Sequence, residues 1–202
     1  KIIDGRQLAK YKIEALKPRI DSLVSGGFPP RLDAIVVLGE HSEDVYAASQ
    51  ERACKRAGIG YYRHELPQGV CEDDLLNKII SLNEDSECSA IMLNMPLPHG
   101  HDSKRAQSLI DPSKDVEGAN PANIGNVVHG NLSLIPCTAK ATMVLIKEVC
   151  EDLRGKVVAV VGAGDVVGKP ITILLMREEA TVFSTNVHTI DLKSLVSKAD
   201  IV

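Results

Sequence analysis

Tryptophan is absent from these 202 residues, and aromatic side chains of any kind make up only 3%. A chain so poor in flat rings offers no stacking platform for nucleic-acid bases. It also lacks a basic stripe: 23 Lys and Arg against 27 Asp and Glu leave a net charge of −4, with the cations scattered. No nucleic-acid partner is expected. No apolar run approaches the roughly 20 residues that cross a bilayer, and the opening Lys-Ile-Ile-Asp-Gly does not read as a signal peptide, so no membrane partner is expected either. The five cysteines (Cys54, Cys71, Cys88, Cys137, Cys150) form no C-x-x-C pair. An odd, scattered set suits reduced thiols, in the cytoplasm or the mitochondrial matrix, better than a disulfide framework. Metal-ligand spacing is missing too, since His99-Gly100-His101 has no third ligand nearby.

What is present is an ordinary globular balance, 44% hydrophobic and 25% charged, in a length that suits one large or two small domains. Apolar spacing at Leu8, Ile13, Leu16 and Ile20 predicts a helix over 6–23, stopped by Gly26-Gly27 and Pro29-Pro30, with Pro18 kinking or breaking it. Strands are predicted at 34–38, 61–66 and 90–95, and helices at 44–57, 73–82, 103–110 and 139–149. Residues 111–138 read as a long, little-structured connection, the kind of segment that carries function. Strand and helix alternate, so the expected class is α/β with mainly parallel sheets covered on both faces. A domain boundary is expected between 139 and 155. This gives an N-terminal three-layer domain over 1–145 and a Rossmann-type doubly wound domain over 146–202, with the active site between them. A doubly wound sheet needs more strands than 146–202 supplies, so the natural protein is expected to be longer.

The richest stretch is 156–170. The valine run Val157–Val161 empties into Gly162, Gly164 and Gly168, and a helical pattern follows over 171–176. A strand ending in a glycine turn that opens a helix presents backbone N–H groups at a positive dipole end, where a dinucleotide pyrophosphate binds. The spacing is G-x-G-x-x-x-G, one residue longer than the common fingerprint. A strand at 181–185, a helix at 191–197 and the start of a further strand at Ile201-Val202 complete the pattern.

Five ordered segments carry a resemblance: Ile3-Asp4-Gly5-Arg6-Gln7-Leu8-Ala9; Tyr46; Pro96-Leu97-Pro98; Lys114-Asp115-Val116-Glu117-Gly118 with Ile135-Pro136-Cys137-Thr138; and Val161-Gly162 through Val167-Gly168-Lys169-Pro170. Together they resemble the methylenetetrahydrofolate dehydrogenase/cyclohydrolase family over essentially the whole chain. The resemblance implies that Tyr46 packs on the folate's aminobenzoate, that Pro96, Leu97 and Pro98 line the substrate site, and that Asp115 and Glu117 belong to the pterin pocket. It also implies a homodimer through the nucleotide domain. Cys137, Thr138, Gly162, Ala163, Gly164, Asp165, Val166, Val167, Thr185, Asn186 and Val187 would then meet the cofactor.

Three polar positions depart from the family's pattern. The family's helix motif places a Lys four residues after the Tyr, and here that position is Gln50. The family Gln that positions this Lys is Asn94, and the pterin-contacting Asp is Glu117. A cation with an adjustable proton can activate water, whereas an amide only hydrogen-bonds, so loss of cyclohydrolase activity is expected. Hydride transfer depends mainly on aligning two bound molecules. The catalytic candidates are therefore Tyr46, Gln50, Asn94 and Glu117, serving oxidation of 5,10-methylenetetrahydrofolate to the 5,10-methenyl form. The resemblance is closest to the monofunctional, NAD-dependent branch of fungi.

Ala163 stands where bifunctional members place an Arg that clamps the 2′-phosphate of NADP. Asn186 can bond a free 2′-hydroxyl, which favours NAD, with NADP the alternative. Lys169 and Arg177 read as solvated surface cations, Cys137 as a small buried side chain as well as a cofactor neighbour, Asp115 as equally a loop cap, His188 as an adenosine neighbour and Asp44 as a helix-start residue. Competing readings are a bifunctional NADP-dependent dehydrogenase/cyclohydrolase, a catalytically silent folate- or nucleotide-binding homologue, and another two-domain dehydrogenase acting on shikimate or amino acids.

Overall fold

The computed structural model describes residues 2–39 and 42–202, with the backbone course alone for 42–45. Packing divides it into two units, one of Asp4–Val116 and one containing Glu117–Val202.

In the first unit, Asp4 caps α1 (Gly5–Ser25) by accepting from the N–H groups of Arg6 and Gln7 at 3.0 Å each. This satisfies donors that a helix start leaves unpaired. The helix does not end at Pro18 but runs through it for 21 residues. An interior proline removes one ladder bond at a cost of about 3 kcal/mol, and the length on either side, anchored by buried Ile20, carries it. Then follow β1 (Arg31–Val37), α2 (Ser42–Ala57), β2 (Gly60–Leu66), α3 (Glu72–Glu84), β3 (Ala90–Leu93) and α4 (Ser103–Leu109). The strands form one parallel sheet in the order β2-β1-β3.

Strand β1 begins at Arg31, three residues before the expected start, because polar Arg31 and Asp33 belong to the ladder and pair with each other. Being central, it is buried on both faces. Ile35 and Val37 pack with Ile91 and Leu93 of β3, the α3 residues Leu75, Leu76, Ile79 and Leu82, and Ala106 of α4. Ala34 and Val36 point to the opposite face, as the two-residue period of a strand requires, where α2 packs on β1 and β2 and buries Ala47, Cys54 and Ala57.

The second unit holds α5 (Pro121–His129), α6 (Cys137–Lys147), β4 (Val157–Val161), α7 (Gly168–Arg177), β5 (Thr181–Thr185) and α8 (Leu192–Val196). Strands β4 and β5 are parallel, and Ile201 adds a parallel bridge to Val158. Helix α5 lies inside the stretch expected to be little structured. Its signals are local: the Asn120 side chain accepts from Ala122 N at 2.8 Å, Pro121 stands at the first helical position, and Gly130 at φ +95° closes it. Nine residues interrupted by Gly125 are too few to show a clear apolar period.

The packing boundary at 116/117 falls well before the expected 145/146. Val127 of α5 and Ala139 and Met143 of α6 share a core with Val158 of β4 and Ile171, Leu174 and Leu175 of α7. An apolar face is assigned by what buries it, and here that is the nucleotide-type unit.

Candidate active site

In parallel α/β sheets ligands gather at the carboxyl ends of the strands. At the end of β3, the Asn94 N–H donates to Ile35 O at 2.9 Å, holding the residue beside β1. The residue is only 6% exposed, and neither Oδ1 nor Nδ2 has a partner among the described residues. A buried polar group left unpaired costs about 1–3 kcal/mol, so such a group is well suited to meet a ligand. The Met95–Pro96 peptide is cis. Leu97 packs against the core of the sheet, and Pro96 is exposed.

Tyr46 and Gln50 lie one turn apart on α2, a spacing that puts both on one face. Tyr46 is 58% exposed. Gln50 is half-buried: its Oε1 accepts from the Tyr61 hydroxyl at 3.3 Å, while its buried Nε2 has no partner among the described residues. Tyr61, on β2, was not among the candidates chosen from sequence. Only the pairing of β2 with β1 under α2 brings it to Gln50, and no local signal announces that.

Asp115 is 2% exposed and forms a parallel bridge with Ile91. Its neighbour Lys114 holds the segment in place, for Lys114 Nζ donates to the carbonyls of Leu82, Asn83 and Asp85 at 3.0, 2.7 and 2.8 Å. The Leu82 and Asn83 carbonyls belong to the last turn of α3, which the helix itself leaves open, while Asp85 O also accepts from Cys88 N at 3.2 Å. The Asn83 side chain braces the same segment, accepting from Asp111 N and donating to Leu109 O at 2.8 Å each.

In the second unit, the carbonyl of half-buried Glu117 accepts from Cys137 N at 3.3 Å. Gly118 has φ +63°, and a Cβ there would lie 2.6 Å from Pro136 N. The motifs at 114–118 and 135–138, distant in sequence, thus meet backbone to backbone. Cys137 and Thr138 open α6, and both are exposed. The expectation of a buried Cys137 is corrected: its N–H faces Glu117, and Ala139 is the side chain that turns into the core.

At the glycine loop, Gly162 takes φ +104°. The N–H groups of Gly162 and Ala163 both donate to Thr185 O, at 3.1 and 3.0 Å. Gly164 O accepts from Lys169 N at 2.9 Å, so the loop turns directly into α7. A Cβ on Gly168 would collide with the Gly162 carbonyl; the strand end and helix start approach as closely as a dinucleotide turn requires. In the first turn of α7, with Val167 at its N-cap, Lys169 N–H is taken by Gly164 O and Pro170 has none, which leaves the N–H of Gly168 at the positive end of the helix dipole. Asp165 pairs with Lys169 at 2.6 Å, and Val166 is 73% exposed. These backbone features fit a pyrophosphate.

The ribose-side candidates are more engaged. Thr185 is buried, with its hydroxyl on Val160 O at 3.1 Å. Asn186 is exposed, and its Oδ1 accepts from His188 N at 2.9 Å while its own N–H donates to the Thr189 hydroxyl at 2.8 Å. Val187 is exposed. Neither Ala163 nor Val187 supplies a cation. His101 braces a loop, with its ring nitrogens 3.2 and 3.0 Å from Pro98 O and Val70 O. The side chain of Asp44 lies outside the described residues.

A strand–glycine turn–helix unit joined in one chain to a parallel α/β unit, in which the Asn94 amide and Gln50 Nε2 have no partner among the described residues, is the layout of a dinucleotide-using two-domain α/β protein. Residues 3–117 match the model of the tetrahydrofolate dehydrogenase/cyclohydrolase catalytic domain, and 136–202 that of the family's NAD(P)-binding domain. The chain belongs to the tetrahydrofolate dehydrogenase/cyclohydrolase family. It is 38% identical over 201 residues to the bifunctional protein FolD 2 of Rhizorhabdus wittichii, covering 99% of this chain and 68% of that protein. Among solved structures, the bifunctional FolD enzyme of Campylobacter jejuni superposes with TM-score 0.95 at 32% identity, over 98% of this chain and 71% of that one. The Trypanosoma brucei dehydrogenase-cyclohydrolase, solved with NADP and an inhibitor, gives 0.93 at 32%, over 100% and 70%. The NAD-dependent dehydrogenase of Saccharomyces cerevisiae gives 0.80 at 22%, over 91% and 63%, a likeness of fold alone.

Proposed function

We propose that this chain is a methylenetetrahydrofolate dehydrogenase/cyclohydrolase that oxidises 5,10-methylenetetrahydrofolate with a nicotinamide dinucleotide. The carrying observation is that the buried Asn94 amide and Gln50 Nε2, in the unit that matches the catalytic-domain model, have no partner among the described residues. Tyr46 supplies an exposed ring to a flat aminobenzoate, the two amides bond folate heteroatoms, and Asp115 and Glu117 serve the pterin. The cofactor, held by the turn of Gly162 to Gly168, supplies the hydride acceptor. In the oxidation the protein's part is to orient the two bound molecules. The bifunctional relatives at 32–38% identity support this reading over the NAD-dependent, dehydrogenase-only branch expected from sequence, and the Trypanosoma brucei complex supports NADP.

Two observations favour a second reading, an NAD-dependent dehydrogenase without hydrolase activity. Gln50 carries no titratable proton, and position 163 carries no cation for a 2′-phosphate. One assay on the full-length protein separates them. Methylenetetrahydrofolate is supplied with NADP or NAD, and reduced cofactor and loss of the methenyl product are followed together. Turnover with NADP and methenyl hydrolysis is the expected result. Turnover with NAD and accumulation of the methenyl form would establish the second reading, and no turnover with either cofactor would refute both.

A further inference from the structure

Gln50 has a side chain whose two ends differ in chemistry but hardly in size. A carboxamide offers a carbonyl acceptor at one end and an N–H₂ donor at the other, and its neighbours decide which end faces where. Here the Tyr61 hydroxyl takes the carbonyl end, donating to Oε1 at 3.3 Å, and Nε2 is buried with no partner among the described residues. Tyr61 is held by the ladder, where it pairs with Leu32 of β1. Burial raises the pKa of its phenol, so the hydroxyl stays protonated and remains a donor.

We infer that Tyr61 is a positioning residue, turning the Gln50 carboxamide so that Nε2 is presented to the folate as a hydrogen-bond donor. The inference rests on the folate reading above. It defines what the site recognises at this point: a ligand atom with a free lone pair, such as a ring nitrogen or a carbonyl of the folate. At 3.3 Å the bond is long for O–H···O, so Tyr61 biases the amide without locking it. The effect is several-fold rather than orders of magnitude.

The test is a double-mutant cycle on the full-length protein, reading KM for methylenetetrahydrofolate, kcat and the thermal midpoint for Tyr61→Phe, Gln50→Leu and the pair. Tyr61→Phe should raise KM ~2–10-fold, the range of one ordinary hydrogen bond, and should leave kcat within ~2-fold. In the Gln50→Leu background it should add nothing, since no amide remains to orient. Multiplying effects, or an unchanged KM in Tyr61→Phe, would overturn the inference. Gln50→Glu covers the case in which Tyr61→Phe fails to fold. It keeps an acceptor for Tyr61 but removes the donor, so its KM should rise as far as that of Gln50→Leu, and a KM like that of the parent would overturn the inference. If the parent protein turns over and the cycle fails, only this inference falls. If the parent turns over with neither cofactor, the folate reading falls and takes the inference with it.

Discussion

His64 Nε2 lies 2.7 Å from Asp33 Oδ1, and the same oxygen accepts from Arg31 at 2.7 Å. Asp33 sits in the central strand with no exposure at all. Burial alone would raise its carboxyl pKa, but the hydrogen bonds from Arg31, His64 and Cys88 outweigh that and hold it below its ordinary value. In turn, burial and the adjacent Asp33 push the Cys88 thiol up to about 12, so this cysteine is kept as an unreactive thiol.

Asp33→Asn removes the charge that Arg31 and His64 face and should cost about 3 kcal/mol, read from urea unfolding at pH 7. The pH dependence follows from the direction of the shift. A carboxyl held below its unfolded value stabilises the fold above that value, near pH 4, and loses the contribution as pH falls through the folded value. The gap between parent and variant should therefore close below about pH 4. A gap that stays constant down to pH 3 would show that Asp33 acts through packing alone.

Lys114→Met keeps the aliphatic stem but removes the ammonium donor from the Leu82, Asn83 and Asp85 carbonyls, of which Asp85 O keeps the Cys88 N–H. A loss of about 2–3 kcal/mol is expected, measured by chemical denaturation. Lys114→Arg should recover only part of it, because a planar guanidinium does not match three converging carbonyls as a compact ammonium does. Full recovery by Arg would mean that charge alone matters.

Asn94→Leu separates stability from function. Both side-chain polar atoms are buried with no partner among the described residues, so an apolar replacement of similar volume should leave the unfolding free energy unchanged or raise it by about 1 kcal/mol. Folate turnover should fall at least ~10-fold, since the amide is kept at a cost to stability. A marked loss of stability would assign Asn94 a structural bond instead.

Gly168→Ala drives a Cβ into the Gly162 carbonyl. Overpacking here should cost about 1–3 kcal/mol and weaken dinucleotide binding, measured by calorimetric titration of NADP and NAD. Gly164→Ala is the matched control, since its added Cβ would meet nothing within 4 Å; stability should hold. Equal effects at both positions would place the requirement in loop flexibility rather than in close approach.

Where strands and helices have strong periods the sequence was legible. Helix 103–110 came within a residue, the strands at 157–161 and 181–185 matched, and the glycine turn fell between β4 and α7. Misreadings share one cause, a local rule outweighed by distant partners. At Pro18 a kink or a break is expected from sequence, and α1 runs on through it without a break. The strand predicted at 34–38 leaves out Arg31 and Asp33, which join the ladder with His64 of β2 beside Asp33. Helix α5 was hidden by its brevity, although Asn120 and Pro121 mark its start.

At the candidate site the balance is similar. The amino-acid order alone determined the parallel α/β class, the dinucleotide turn and the set of motifs that identifies the family, because each strand, helix or motif is a local signal and only their order along the chain is needed to combine them. Only the tertiary structure decided that Lys114 anchors a helix end, that α5 and α6 pack with the nucleotide-type unit, and that Tyr61 stands against Gln50. Those facts depend on which faces strand pairing and core burial bring together. Residues 11 apart in the chain meet through a ladder and a packed helix, and no spacing rule records that.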